Sequence, residues 1–383
     1  MERPHIVIVG DGPAGLSLAQ TLGQNKDIRT TIILPQPPNA LSQLNYRTTT
    51  PFIGHTTAGL LGISPIVDRV DSLQFGLIAK KRLTLALARH MSKEIIGRNG
   101  LMAIDAESLR LQLFNNLHES NNPITIYNGK ATELQMAGQS VTGVTVEGQG
   151  ILAASLVIDA TGRNARLASQ LDASLVKVNR VPQDSTILGG YVDLSHRDLR
   201  KQFPAIDNNV IVSFLPGRLN AVIAPTERLA HSPATHVLLF EGKTDNVQQA
   251  MRHAKGTTPT DKRFDVMQLL AKGTKWEALL ANIQTIDRTV FFTSKDALHR
   301  RSTIDGLTFI GDAQGYVNPI FSSGIRYIAK DGNLLATLLS SHPIDQAIKI
   351  YSDEMQNIFT RRLKQSRTTF KVLLTLPPLK ISN

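Results

Sequence analysis

The chain opens with an unbroken apolar run, Ile6 to Val9, the pattern of a parallel strand buried on both faces. Leu16, Leu18, Ala19 and Leu22 then recur at helical spacing, and Thr30 to Leu34 predicts a second parallel strand. Between residues 58 and 98 the pattern is ambiguous, its apolar positions interrupted by Gly59, Gly62 and Pro65, and Leu83 to Met91 has helical periodicity. Asp105 to Leu117 predicts a clearer helix, with Leu109, Leu113 and Leu117 on one face and Asp105 as the N-cap. Ile124 to Tyr127 predicts a strand. Ala131 to Gln135 and Val141 to Val146, with Gly138 and Gly148 at the turns, predict a β-meander.

From residue 170 to 300 the texture changes. Thr186 to Leu194, Val210 to Leu215, Asn220 to Ile223, His236 to Phe240 and Thr289 to Phe292 are strand-like, and helical pieces lie between Asp261 and Ile283. Helical periodicity returns from Ile344 to about Leu374 and is closed by Pro377 and Pro378. The pattern predicts an α/β chain: a Rossmann-like nucleotide-binding domain, a mostly antiparallel sheet with helices as an α+β insert forming a substrate wall, and C-terminal helices. The expected boundaries are 1–170 with 296–345 for the nucleotide-binding domain, 171–295 for the substrate domain, and 346–383 for the helical end.

Composition narrows the function classes. The 383 residues are 42% hydrophobic and 19% charged, as in an ordinary globular protein. With no cysteine, disulfides, thiolate metal sites and cysteine nucleophiles are excluded, and no metal site is expected. No stretch approaches the roughly 20 apolar residues of a membrane span. The first strand begins near residue 5, so a signal peptide is not expected and a cytoplasmic location is. The net charge of +11 gathers at Lys80 to Arg82, Arg89 to Arg98 and Arg361 to Lys371. Such a surface suits an acidic partner, cofactor phosphates or plain solvation. No nucleic-acid fold signature accompanies it, and the basic tail reads as an amphipathic helix closing the fold.

Three signatures carry the chemistry. The first strand feeds into Gly10-Asp-Gly12-Pro13-Ala14-Gly15: Gly10 for the tight turn, Gly12 for close approach of a pyrophosphate, and Gly15 for packing of helix on strand. The acidic residue that commonly closes the second strand and binds the adenosine ribose is replaced by Pro35 and Gln36. The ribose would then be held by Gln36, by backbone or by nothing specific. Arg47 either faces the phosphates or lies on the surface. In the second signature, Leu156 to Leu167, an apolar strand ends in Asp159 before a Gly162 turn and a basic helix start; Asp159 is a turn former or a cofactor contact. In the third, Leu307 to Ile310 ends in Gly311-Asp312, a loop from Pro319 to Gly324 follows, and a helix starts at Ile325.

Together and in this order, these signatures resemble the FAD-dependent monooxygenases with the p-hydroxybenzoate hydroxylase fold. The resemblance implies FAD. On it, Gly10, Gly12 and Gly15, with Pro13 and Ala14, would hold the pyrophosphate. Gly311 and Asp312 would meet the ribose or ribityl chain, and Pro319, Ser323, Gly324 and Ile325 would lie beside the isoalloxazine. Asn318-Pro-Ile-Phe-Ser-Ser-Gly-Ile325 is most similar to the halogenase branch. The single tryptophan excludes the Trp-x-Trp-x-Ile-Pro segment of tryptophan halogenases, while Lys80 or Lys81 stands near the place of their lysine. The chain also resembles halogenase-like flavoproteins that oxidise a tryptophan on a partner protein during maturation of cysteine tryptophylquinone. The implied activity is oxygenation of an electron-rich aromatic group using O₂ and an external reductant or flavin reductase. Lys80, His55 and Tyr316 are the candidate polar residues at the substrate. The alternatives are a halogenase, an isoprenoid reductase or dehydrogenase, and an FAD-carrying assembly factor without turnover.

Overall fold

The computed structural model describes residues 3–35, 52–61, 63, 72–75, 101–103, 106–120, 122–194, 209–215, 219–225, 235–283, 286–317 and 323–375. In chain order, β1 (His5–Val9), α1 (Pro13–Gly23) and β2 (Arg29–Leu34) form the opening unit. Next come β3 (Phe52–Gly54), α2 (His55–Leu61), β4 (Ser72–Phe75) and β5 (Leu101–Ala103). Then α3 (Ala106–Glu119) leads to β6 (Ile124–Asn128). The meander β7 (Ala131–Ala137), β8 (Ser140–Val146) and β9 (Gly150–Ala153) precedes β10 (Leu156–Asp159).

The second half starts with β11 (Val176–Val192), β12 (Asn209–Leu215), β13 (Leu219–Pro225) and β14 (His236–Gly242). The helices α4 (Thr244–His253), α5 (Pro259–Ala271) and α6 (Lys275–Ala281) follow. The chain returns through β15 (Ile286–Ser302), β16 (Leu307–Phe309) and β17 (Gly315–Tyr316), and ends in α7 (Ser323–Ser341) and α8 (Ile344–Thr375).

A five-stranded sheet in the order β16-β10-β1-β2-β6 is parallel at every pairing. The central strands β1 and β10 are buried at every position because each face of the sheet is covered, while the edge strand β6 is half-exposed. On one side Ile6, Ile8 and Ile32 pack against Leu16 and Leu18 of α1, Leu109 and Leu113 of α3, and Leu335 of α7. On the other, Val7, Ile33 and Val157 meet Leu134, Val144 and Val146 of the meander. The carboxyl ends of β1, β10 and β16 therefore lie side by side, with no element between them, where a doubly wound sheet binds its ligands.

The seven-stranded sheet, β17-β15-β11-β14-β13-β12-β4, is antiparallel except for β4 against β12. One face is covered by α4 to α6 through Val247, Val266, Met267 and the fully buried Trp276, whose ring meets Phe240 edge-on at 5.8 Å. The mixed α/β architecture with an antiparallel insert follows the periodicity. The lengths do not. The strands expected at Thr186 to Leu194 and Thr289 to Phe292 are the 17-residue β11 and β15, which pair almost throughout, with register shifts between Pro182 and Ser185 and between Gly189 and Tyr191. Their polar halves lack the apolar alternation that marks a strand, so pairing of the partners extends them beyond the readable pattern. No described helix is long and apolar enough to cross a membrane.

Candidate functional site

The first signature folds as its glycines require. Gly10 lies at φ +133°, and a Cβ there would sit 2.4 Å from the Ala160 carbonyl oxygen. A Cβ on Gly15 would come within 2.2 Å of the Gly10 oxygen, so this glycine lets helix and turn touch. Gly12 differs: an added Cβ would meet nothing within 4 Å. It is the N-cap of α1, Pro13 occupies the first turn, and no side chain caps the helix. The first N–H groups of a helix have no partner within it, and here they sit at the positive end of the dipole. The result is a cradle of main-chain donors with room above Gly12, a geometry that fits a pyrophosphate.

The other two signatures close on this cradle. The Ala160 N–H donates to the Val9 oxygen at 2.9 Å, and the Ile310 N–H to the Asp159 oxygen at 3.1 Å. Gly311, at φ +62°, faces α1 so closely that a Cβ would lie 2.7 Å from the Cβ of Ala14. Asp312 follows on a single 3-10 turn, Gly311–Ala313, and keeps part of its carboxylate exposed.

Around Asp312 stands a cluster of cations that spacing did not reveal. Arg163 Nε donates to its Oδ2 at 3.1 Å, and the Arg163 guanidinium lies 4.3 Å above the Tyr316 ring. Arg300, from β15, donates to the main-chain oxygens of Ala313 (2.9 Å) and Arg163 (2.8 Å), so one guanidinium ties the second signature to the third. Its burial lowers its pKa from the ordinary guanidinium value. At the turn after β1, Arg110 of α3 donates through Nε to the Asp11 oxygen at 2.9 Å and through Nη2 to the Asp11 carboxylate.

Asp159 is fully buried, and its carboxylate accepts from the Thr161 N–H and hydroxyl (2.9 and 2.6 Å) and from the N–H groups of Leu167 and Ala168 (both 3.2 Å). Burial raises its pKa despite those bonds. The geometry is that of a residue closing its own turn, the first of the two readings left open for it. The basic helix start expected after Gly162 is absent. The segment runs through Gly162 (φ +77°) and Ala165 (φ +40°) into a 3-10 turn at Ala168–Gln170, because the Asp159 carboxylate gathers the N–H groups that would otherwise open a helix.

Of the remaining candidates, Tyr316 lies under the Arg163 guanidinium, and His55, within a stretch from Pro37 to Thr57 whose Pro, Asn, Ser and Thr content predicts an irregular loop, is the first residue of α2. Ser323, Gly324 and Ile325 form the first turn of α7, two residues earlier than the helix start expected at Ile325. Lys80, Gln36, Arg47 and Pro319, like the N-cap Asp105 and the helix at Leu83 to Met91, lie outside the described residues.

Three comparisons bear on this arrangement. The family model of lycopene cyclase protein matches residues 5–180, less than half of the chain. No curated protein matches significantly. Among solved structures, the chain is similar to Pseudomonas aeruginosa PqsL, a probable FAD-dependent monooxygenase, at a TM-score of 0.64 and 14% identity over 97% of each chain. It is similar to a variant of the flavin-dependent brominase Bmp2 at 0.62 and 16%, over 91% of this chain and 83% of that one. It is also similar to CtdE in complex with FAD and a substrate, at 0.65 and 12%, over 99% and 93%. At these identities the likeness establishes the fold alone: this chain has the architecture these structures share.

Proposed function

We propose that the protein is an FAD-dependent monooxygenase acting on an electron-rich aromatic group. One observation carries the reading: all three signatures meet at the N-terminus of α1, where Gly12, unlike Gly10 and Gly15, leaves room for a phosphate. The neighbours of the same fold include a probable FAD-dependent monooxygenase, a flavin-dependent brominase and a protein solved with FAD bound, which supports FAD as the ligand of this cradle.

FAD would supply the reaction of reduced flavin with O₂ and the transfer of one oxygen atom to the ring. The chain's own residues bind and orient. The main-chain N–H groups of Gly12, Ala14 and Gly15 would hold the pyrophosphate, with Pro13, which has no N–H, setting the first turn. Asp312 accepts from a sugar-chain hydroxyl, and Arg163 and Arg300 fix the loop that presents it. The N-terminus of α7, starting at Ser323, directs positive potential toward the redox end and favours negative charge there. Tyr316, on β17, carries the Arg163 guanidinium on its ring and would help hold that arginine beside Asp312.

The finer reading is that the aromatic group is a tryptophan side chain of a partner protein. The sequence resemblance supports it, as does the net charge of +11, which suits an acidic macromolecular partner. Halogenation is the second reading, favoured by the likeness to Bmp2.

The first test is a visible spectrum of the purified protein loaded with FAD, reduced with dithionite and then exposed to air. Flavin bands that bleach and return with oxygen uptake are expected, together with a mass gain of one oxygen on an aromatic substrate. A protein that takes up no FAD at high concentration overturns the reading. A halide-dependent product replaces oxygenation with halogenation, and turnover without O₂ replaces both with a reductase or dehydrogenase.

A further inference from the structure

Asp11 puts a carboxylate inside the turn framed by Gly10 and Gly12. Left alone, it would oppose any phosphate the turn binds. The carboxylate does not stand alone. Arg110 reaches it from α3, 99 residues along the chain, with a side chain only 4% exposed against 16% for Asp11. One nitrogen of its guanidinium, Nε, donates to the Asp11 main-chain oxygen at 2.9 Å; another, Nη2, donates to the Asp11 carboxylate. The same group thus holds both the backbone of the turn and its charge. The helix carrying it is itself anchored, since Leu109, Leu113 and Leu117 share one core with Leu16, Leu18 and Leu22 of α1. A site built on packed helices places its charges more sharply than one built on loops.

We infer that Arg110 is the positioning residue of the phosphate-binding turn: it fixes the Asp11 carbonyl and cancels the Asp11 charge, so that bound phosphates meet main-chain donors without a competing anion. The inference rests on the FAD reading above. It also gives α3 a part in the site beyond packing, since Arg110 is bonded to the turn through two hydrogen bonds.

The test is a cycle of four proteins: wild type, D11N, R110M and the double variant D11N/R110M. FAD dissociation constants are measured by flavin fluorescence at two salt concentrations, with thermal unfolding alongside. In R110M the Asp11 charge is left without its guanidinium, and FAD should bind roughly tenfold more weakly or worse. D11N should bind at least as tightly as wild type and show a steeper loss with salt, because the guanidinium charge is no longer cancelled. The double variant should return to within about threefold of wild type, a rescue that mere loss of packing cannot produce. Should R110M fail to fold, the double variant decides: folded and binding supports the inference, unfolded or non-binding overturns it. Wild-type affinity in R110M, or no recovery in the double variant, also overturns it. Absence of FAD binding by the wild type defeats the FAD reading instead, and so separates the two.

Discussion

Two glycines three residues apart play opposite parts, and substitution separates them. Gly15→Ala drives a Cβ into the Gly10 carbonyl, at 2.2 Å, where neither backbone can yield. It should lower stability by about 2 kcal/mol or more, seen as an earlier urea midpoint. Gly12→Ala meets no protein atom within 4 Å, so the fold should keep its midpoint while FAD affinity falls at least roughly tenfold, read by fluorescence titration. The two aspartates divide likewise. Asp159→Ala strands the buried N–H groups of Leu167 and Ala168 and should cost about 3 kcal/mol of stability. Asp312 is part-exposed, and Asp312→Ala should spare the fold but weaken FAD binding; unchanged affinity would refute the role given to it.

At the scale of elements, the junction of α7, α8 and β15 holds two buried groups that titrate against each other. Asp331 of α7 is 3% exposed, and burial pushes its carboxyl up to about 7 although Arg362 and Lys330 pull it down. His299 of β15, tilted on the Phe359 ring at 5.1 Å, is lowered to about 4 by burial, reinforced by Arg301 and Arg362. A carboxyl raised from 3.8 binds more protons folded than unfolded, so its share of stability is lost as pH rises from about 4 to 7. A histidine lowered from 6.5 binds fewer, so its share is lost as pH falls from 6.5 toward 4. In the wild type the two slopes oppose each other between about pH 4 and 6.5. Asp331→Asn should therefore be more stable than wild type at pH 8, by up to about 4 kcal/mol, with the advantage gone near pH 4. His299→Phe keeps the ring stack and should gain only below pH 6.5. Urea unfolding at pH 5 and pH 8 checks both signs. This junction bears on the site because Tyr351 of α8 donates to the Gln314 side chain at 2.9 Å, just behind Asp312.

For the molecule as a whole, FAD is expected to act as a staple. Its cradle is assembled from β1, α1, β10 and β16, elements spread over some 300 residues, and none of it persists in the unfolded chain. A ligand at a hundred times its dissociation constant then adds about 2.7 kcal/mol, a rise of a few degrees in melting temperature for a chain of this length. A thermal scan with and without FAD measures it, and no shift at saturation would place the ligand elsewhere. The net charge of +11 acts at the same scale: raising salt should weaken capture of the cofactor's phosphates more than the folding midpoint.

The sequence by itself determined the parallel strands, the glycine turn and the order of the three signatures, because strand burial, helical periodicity and glycine stereochemistry act over a few residues. Gly10, Gly12 and Gly15 have the conformations and contacts their spacing implies. Tertiary structure alone decided what surrounds them. Arg110 finds Asp11 across 99 residues, Arg163 finds Asp312 across 149, and Arg300 finds the Arg163 carbonyl across 137. No periodicity marks such cations, since a surface arginine and a buried clamp look alike in sequence. The same holds for Asp159, whose four donors come from its own turn and turn it inward, and for β11 and β15, whose polar halves become strand only because each pairs with the other. Local chemistry wrote the cradle; packing of distant elements chose the charges placed around it.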